Sequence, residues 1–238
     1  MRAALIPMKE LAQAKMRLAD VLDRRERSEL ALAMLTDVIS ACAGSGCFDQ
    51  ICVISNDSDV FWHARELGAK PLAEPATLGG GLNESLTFGQ RYLARRVAVS
   101  ELVILPADVP LARPEDVSAA VETLVGTSPR PAADPLHVVE KVPRPPGRVV
   151  LVRSRDNGTN MLAMRPPEAL GMHFGRDSAD AHRAAALSRG IEIIEIENER
   201  LAYDIDSAED LTALASLPVG AATAGWLEAR AHYAAGRG

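Results

Sequence analysis

Short apolar runs alternate along the chain with longer segments of helical period. Residues 3–6, 51–54, 102–105, 149–152 and 161–164 are each four consecutive apolar positions. Such a run reads as a strand covered on both faces, as in the middle of a parallel sheet. Between the first two runs, Leu30, Met34, Val38 and Cys42 recur every fourth position over residues 24–43, one stripe of a helix whose role is packing. A second helix follows residues 55–59 and is stopped by Gly68, after which residues 69–73 suggest another short strand. Further helices are expected from residue 82 to about 97, from Pro114 onward, and around His182; residues 191–196 alternate like a strand with one polar face. This β-α-β-α-β order implies an α/β fold: a mostly parallel central sheet with helices on both faces. No domain boundary interrupts residues 1–217. Six prolines between 128 and 148 read as a surface excursion, and the alanine-rich residues 218–238 as a loosely attached helix or tail.

Composition narrows the class. The chain has 238 residues, 47% of them hydrophobic and few aromatic, as in a globular protein built on aliphatic contacts. No apolar run reaches the length of a membrane span, so no membrane partner is expected, and a cytoplasmic location is the default. A net charge of −6 argues against a nucleic-acid surface, which needs a basic face. The three cysteines, Cys42, Cys47 and Cys52, lack metal-type spacing and read as small buried residues. The oligomeric state is not legible; a homodimer is carried as a guess.

The candidate chemistry clusters at strand ends. The run 102–105 stops at Pro106, which carries Ala107 and Asp108 past the carboxyl end of the most apolar strand, the edge where open α/β sheets bind ligands. Asp108 suits a divalent cation that meets a phosphate, although Asp beside Pro also shapes turns. After the first strand come Lys9, Lys15 and Arg17, three cations that could hold a triphosphate and offset charge on departing pyrophosphate, or simply form a solvated face. Gly79, Gly80 and Gly81 permit close backbone approach to a ligand, with Asn83 as a helix cap or a ligand-facing amide. Residues 155–160, ending in Thr159 and Asn160, and the group Gly175, Arg176 and Ser178 at a helix start both suit small anions; His182 beyond them reads as structural. If residues 203–206 are extended, Asp204 and Asp206 project to one side while Ile205 packs inward. Carboxylates about 4 Å apart repel by ~4 kcal/mol at an effective dielectric of 20, so a shared cation on at least one is expected. Ser207 with Asp210 also matches a helix cap.

Taken in order, the segments IPMKELAQAKMRL, SELALAMLTDVI, GGGLNESL, LPADVPL, GTNML, HFGRDSADAH and DIDSAEDL resemble the guanylyltransferases of coenzyme F-420 biosynthesis. The resemblance spans residues 2–214 and implies a single-domain, Rossmann-like nucleotidyltransferase fold. It implies that GTP reacts with a small phosphorylated three-carbon acid to give a guanylylated product and pyrophosphate. By the same resemblance Asp108, Asp204 and Asp206 supply magnesium ligands. Thr159, Gly175 and Ser178 hold the phospho-acid, and the Lys9 to Arg17 segment and the Gly81 to Asn83 turn serve GTP. Two departures stand out: Ala179 where an aromatic is frequent and Arg153 where a proline is usual, both expected to alter the acceptor pocket. Among 3-phospho-D-glycerate, phosphoenolpyruvate and 2-phospho-L-lactate, the first is the leaning. Two rivals remain: a glycosyltransferase using Asp204 and Asp206 as a DxD motif, although that motif normally lies mid-chain, and a non-catalytic nucleotide-binding protein of the same fold.

Overall fold

The computed structural model describes residues 1–75, 81–126 and 147–235. Gly79, Gly80 and all but the last two residues of the proline-rich span lie outside the described residues. The elements, in order, are β1 (Arg2–Pro7), α1 (Arg24–Gly44), β2 (Gln50–Ser55), α2 (Ser58–Glu66), β3 (Lys70–Ala73), α3 (Leu82–Arg96), β4 (Glu101–Ile104), α4 (Pro114–Val125), β5 (Arg148–Arg153), β6 (Thr159–Arg165), α5 (Ser178–Ser188), β7 (Glu192–Glu195), α6 (Ala208–Leu214) and α7 (Ala221–Ala235). Single 3-10 turns at Leu11–Gln13 and Met16–Leu18 lie between β1 and α1.

The strands form one seven-stranded sheet in the order β3-β2-β1-β4-β6-β5-β7. All neighbours are parallel except β6, which is antiparallel to both β4 and β5. The reversal follows from the connection. β5 and β6 are separated only by residues 154–158, too few for a crossover, so the chain must fold back as a hairpin. Gly158 sits in that turn where a Cβ would come within 2.6 Å of Ser154 Oγ, leaving room for glycine alone. Because β6 runs backward, its first residues, Thr159 and Asn160, lie at the edge where β4 and β5 end.

Strand alternation divides the core between two faces. Ala4, Ile6, Val103 and Leu105 pack with α1, α2 and α4, whereas Ala3, Leu5, Leu102 and Ile104 pack with α3 and α5. The stripe expected on α1 is split: Val38 and Cys42 face the sheet, while Leu30 and Met34 belong to a third apolar cluster. That cluster joins Leu18, Leu22, Leu111, Ile205, Leu211 and Leu214 beyond the carboxyl ends of the strands. It clamps together the loop after β1, the loop after β4 and the segment before α6.

The alanine-rich end differs from a loose tail. It forms α7, whose first amides, Ala222 N and Thr223 N, each donate at 2.9 Å to the buried carboxylate of Asp37 on α1. Arg230 pairs with Glu26 at 3.1 Å, and Trp226 and Leu227 pack against the third cluster. Sequence period alone could not show this, because the cap comes from another helix. All three cysteines are free, and burial pushes the Cys42 thiol up to about 12. Among the described residues no helix is long and apolar enough to cross a membrane.

Candidate active site

The loop after β1 reaches its functional position through a left-handed residue. Lys15 adopts φ 48°, and its side chain turns into the space between the loop after β4 and the segment before α6. There Nζ donates to Asp108 Oδ2 at 2.7 Å, to the Ile205 carbonyl at 2.5 Å and to Asp206 Oδ1 at 3.1 Å. The side chain is 10% exposed. Burial would lower its pKa, but the charges of Asp108 and then Asp206 outweigh it and hold the ammonium above its ordinary value. Ile205 N donates to the Asp108 carbonyl at 3.1 Å, so the two acidic segments are also joined through the main chain. Ile205 is fully buried between its acidic neighbours, as an inward-packing residue there should be.

Residues 203–206 lack a strand partner, yet the two aspartates are gathered at one place. Asp206 binds Arg17 at 3.0 Å in addition to Lys15. Asp204 accepts from Asn160 Nδ2 at 3.3 Å. Burial, then the negative charge of Asp108 and, more weakly, Asp206 push the Asp204 carboxyl up to about 6. Cations therefore pair directly with Asp108 and Asp206, whereas among the described residues no ion pair reaches the Asp204 carboxylate. Among the described residues no three acidic, His or Cys groups stand close enough to form a ready metal centre. Lys15 is the cation between Asp108 and Asp206, and carboxylate oxygens such as those of Asp108, Asp204 and Asp206 are the donor type that a hard divalent ion takes.

Residues outside the expected set hold this arrangement. The Arg155 guanidinium lies 3.6 Å over the Tyr203 ring, donates to the Asp204 carbonyl at 3.1 Å and pairs with Asp210 at 2.6 Å. Asp210 in turn accepts from Asp206 N at 3.1 Å and Ser207 N at 2.9 Å, completing the capping box legible in Ser207 and Asp210. The β5–β6 turn and the acidic segment are thus one unit. The sequence flagged the polar richness around Arg155 but not its long-range partners.

On the adjacent side, Thr159 Oγ1 lies 3.0 Å from Ser178 Oγ and 3.1 Å from His182 Nδ1, all three groups being buried. Gly175 has φ +132°, a conformation side chains rarely adopt, and its carbonyl accepts from Ser178 N at 3.2 Å to bring the start of α5 to Thr159. Asn83 does not cap α3. Gly81 is the N-cap residue of α3, and the Asn83 carboxamide clamps Phe174, receiving its N–H at 2.7 Å and donating to its carbonyl at 2.9 Å. The cap reading fails because the amide finds a main-chain partner ninety-one positions away. Lys9 is exposed beyond β1 with no ion-pair partner among the described residues. Of the two departures, Ala179 is fully buried in the core and Arg153 is committed to Glu195 at 2.6 Å and Asp180 at 3.0 Å.

A sheet of this order, with acidic and basic side chains meeting at its carboxyl edge, defines a nucleotidyltransferase-type α/β protein. A crystal structure described as a nucleotide-diphospho-sugar transferase from Desulfovibrio desulfuricans superposes with a TM-score of 0.67 over 97% of this chain and 95% of that one, at 16% identity, which establishes likeness of fold. The family model "Guanylyl transferase CofC like" matches residues 1–127. A phosphoenolpyruvate guanylyltransferase of Rubrobacter xylanophilus is 38% identical over 89% of this chain and 92% of its own length. A 3-phospho-D-glycerate guanylyltransferase of Phenylobacterium zucineum is 31% identical over 94% of each. The chain belongs to the CofC-like guanylyl transferase family and is an enzyme of nucleotidyl transfer.

Proposed function

We propose that the protein joins the GMP moiety of GTP to a small phosphorylated three-carbon acid and releases pyrophosphate, in coenzyme F-420 biosynthesis. The observation that carries this reading is the meeting of Asp108, Asp204 and Asp206 with Lys15 and Arg17 beside the Thr159–Ser178 pair. Cations for a triphosphate and donors for a second anion thereby share one edge of the sheet. Phosphoenolpyruvate is the acceptor put forward, in place of the leaning to 3-phospho-D-glycerate, because the relative of higher identity is named for it.

The chemistry is an in-line attack by an acceptor phosphate oxygen on the α-phosphorus of GTP, with the P–O bond to pyrophosphate breaking. Both reactants are anions, so the obstacle is electrostatic repulsion. Arg17, exposed and hinged on Asp206, and Lys15 beside it offset charge on the departing pyrophosphate. Lys9 extends the same cationic side toward the nucleotide, with Gly81 opening α3 toward it. Thr159, Asn160, Gly175 and Ser178 orient the acid. Asp108, Asp204 and Asp206 would hold magnesium, which when bound supplies charge neutralisation at the phosphates. A phosphate monoester is ionised at neutral pH, so no general base is required of the chain.

Incubation with GTP, magnesium and each of the three acids, with pyrophosphate and product mass measured, tests this. Pyrophosphate release with a guanylylated acid is expected, largest with phosphoenolpyruvate. Absence of pyrophosphate on every acid, together with release of nucleoside diphosphate from an added sugar nucleotide, would make the protein a glycosyltransferase. Tight GTP binding without turnover on any acid would make it a non-catalytic binder.

A further inference from the structure

Behind the Thr159–Ser178 pair lies a hydrogen-bond chain ending in a buried imidazole. His182, on the second turn of α5, is fully buried, and its Nε2 accepts from the His173 main-chain N–H at 3.1 Å. A main-chain amide can only donate, so Nε2 is unprotonated and the neutral ring carries its proton on Nδ1. Nδ1 lies 3.1 Å from Thr159 Oγ1 and therefore donates to it, while the Ser178 hydroxyl donates to the same oxygen at 3.0 Å. With Nδ1–H and the Ser178 hydroxyl donating to it, the Thr159 hydroxyl has its own proton available for a third partner. A hydroxyl in that state complements an anionic oxygen.

We propose that His182 is a positioning residue for the acceptor: its tautomer, set by the His173 amide, turns the Thr159 hydroxyl into a donor to an anionic oxygen of the phosphorylated acid. The inference rests on the acceptor site proposed above and deepens it. Burial, and next the neighbouring His173, push the His182 pKa down to about 4, so the ring stays neutral at neutral pH. The ring also packs edge-on against Phe174, with centroids 5.1 Å apart, and Phe174 is the residue clamped by Asn83. The acceptor donor is therefore tied through two loops to the start of α3.

Two substitutions divide the roles of the ring. His182→Asn places an amide nitrogen near the position of Nδ1 and keeps the donor to Thr159. His182→Gln reaches toward the Nε2 position with its carbonyl and keeps the acceptor for His173 while losing that donor. With the acid that the wild-type protein turns over, His182→Gln is expected to raise the acceptor KM about tenfold or more, leaving the KM for GTP within about twofold. His182→Asn should hold the acceptor KM within about threefold of wild type. An unchanged acceptor KM in His182→Gln, or an equal rise in both variants, overturns the inference while the guanylyl transfer reading stands. Absence of turnover by the wild-type protein on all three acids removes that reading and this inference with it. Should either variant fail to fold, nitrogen-15 NMR of the wild-type histidines decides: the Nδ1–H tautomer is expected at His182, and the Nε2–H tautomer overturns the proposal.

Discussion

From β3 through β4 every neighbouring pair of strands is parallel and helices make the connections; from β4 to β7 a single reversed strand sits between parallel partners. The first half contributes Lys15 and Arg17 from the loop after β1 and Asp108 from the loop after β4. The second contributes Thr159 and Asn160 from a hairpin strand, Ser178 from the start of α5, and Asp204 and Asp206 from an unpaired segment. The family model covers the first half alone, residues 1–127. The regular half thus presents the cations proposed for the nucleotide, the irregular half the donors proposed for the acceptor, and both supply the carboxylates proposed for magnesium. The seam between them is ionic and main-chain: Lys15 to Asp206, and Ile205 N to the Asp108 carbonyl.

The largest effect is expected at the seam itself. Asp108→Asn should reduce GTP-dependent pyrophosphate release by at least about 10²–10³-fold, while circular dichroism reports an intact fold. Near-normal turnover in this variant would separate the two halves functionally. Ile205→Ala attacks the same junction through packing. Removing a fully buried side chain from the third cluster should cost about 2–5 kcal/mol in urea unfolding. Full stability would mean that the cluster does not clamp the halves.

A pH titration of stability probes the second half alone. The folded His182 ring resists protonation down to about 4, against 6.5 for the exposed ring in an unfolded chain. The unfolded chain therefore binds more protons between those limits, and acid favours it. The ring's contribution should be full above about pH 7 and fall by up to about 3 kcal/mol as pH drops to 4, read as the difference between wild type and His182→Gln, because the raised Asp204 carboxyl contributes with the opposite sign in both proteins. The smallest effect belongs to the first half: Asp37→Ala removes a cap from α7 and should lower stability by about 1–2 kcal/mol with the guanylyl transfer rate unaltered.

The same contrast decides what was legible in sequence. Runs of four apolar residues marked five strands because strands covered on both faces need no polar positions, and the α1 stripe marked a core helix. Asp108 and the cations after β1 were visible because they lie in the loops that follow such runs. The capping box of Ser207 and Asp210 was visible because its partners are three positions apart. The Asn83–Phe174 clamp, the Arg155 bridge to Asp210 and the Asp37 cap on α7 were not visible. Each joins groups distant in the chain, and a side chain's choice between solvent, ligand and a remote main-chain partner leaves no periodic trace. Asn83 shows the cost: an amide at a helix start has several good uses, and only the approach of the 173–174 loop selects one.

The cap that Asp37 supplies to α7 makes the final fifteen helical residues part of the catalytic body's foundation. Trimming the chain at residue 217, which its alanine-rich end invites, would strip Trp226 and Leu227 from the apolar cluster that seats Ile205 and leave a buried carboxylate facing no amide. A shortened protein would accordingly lose its grip on the acidic pair from behind, and crystallisation or expression variants should keep the full C-terminal helix.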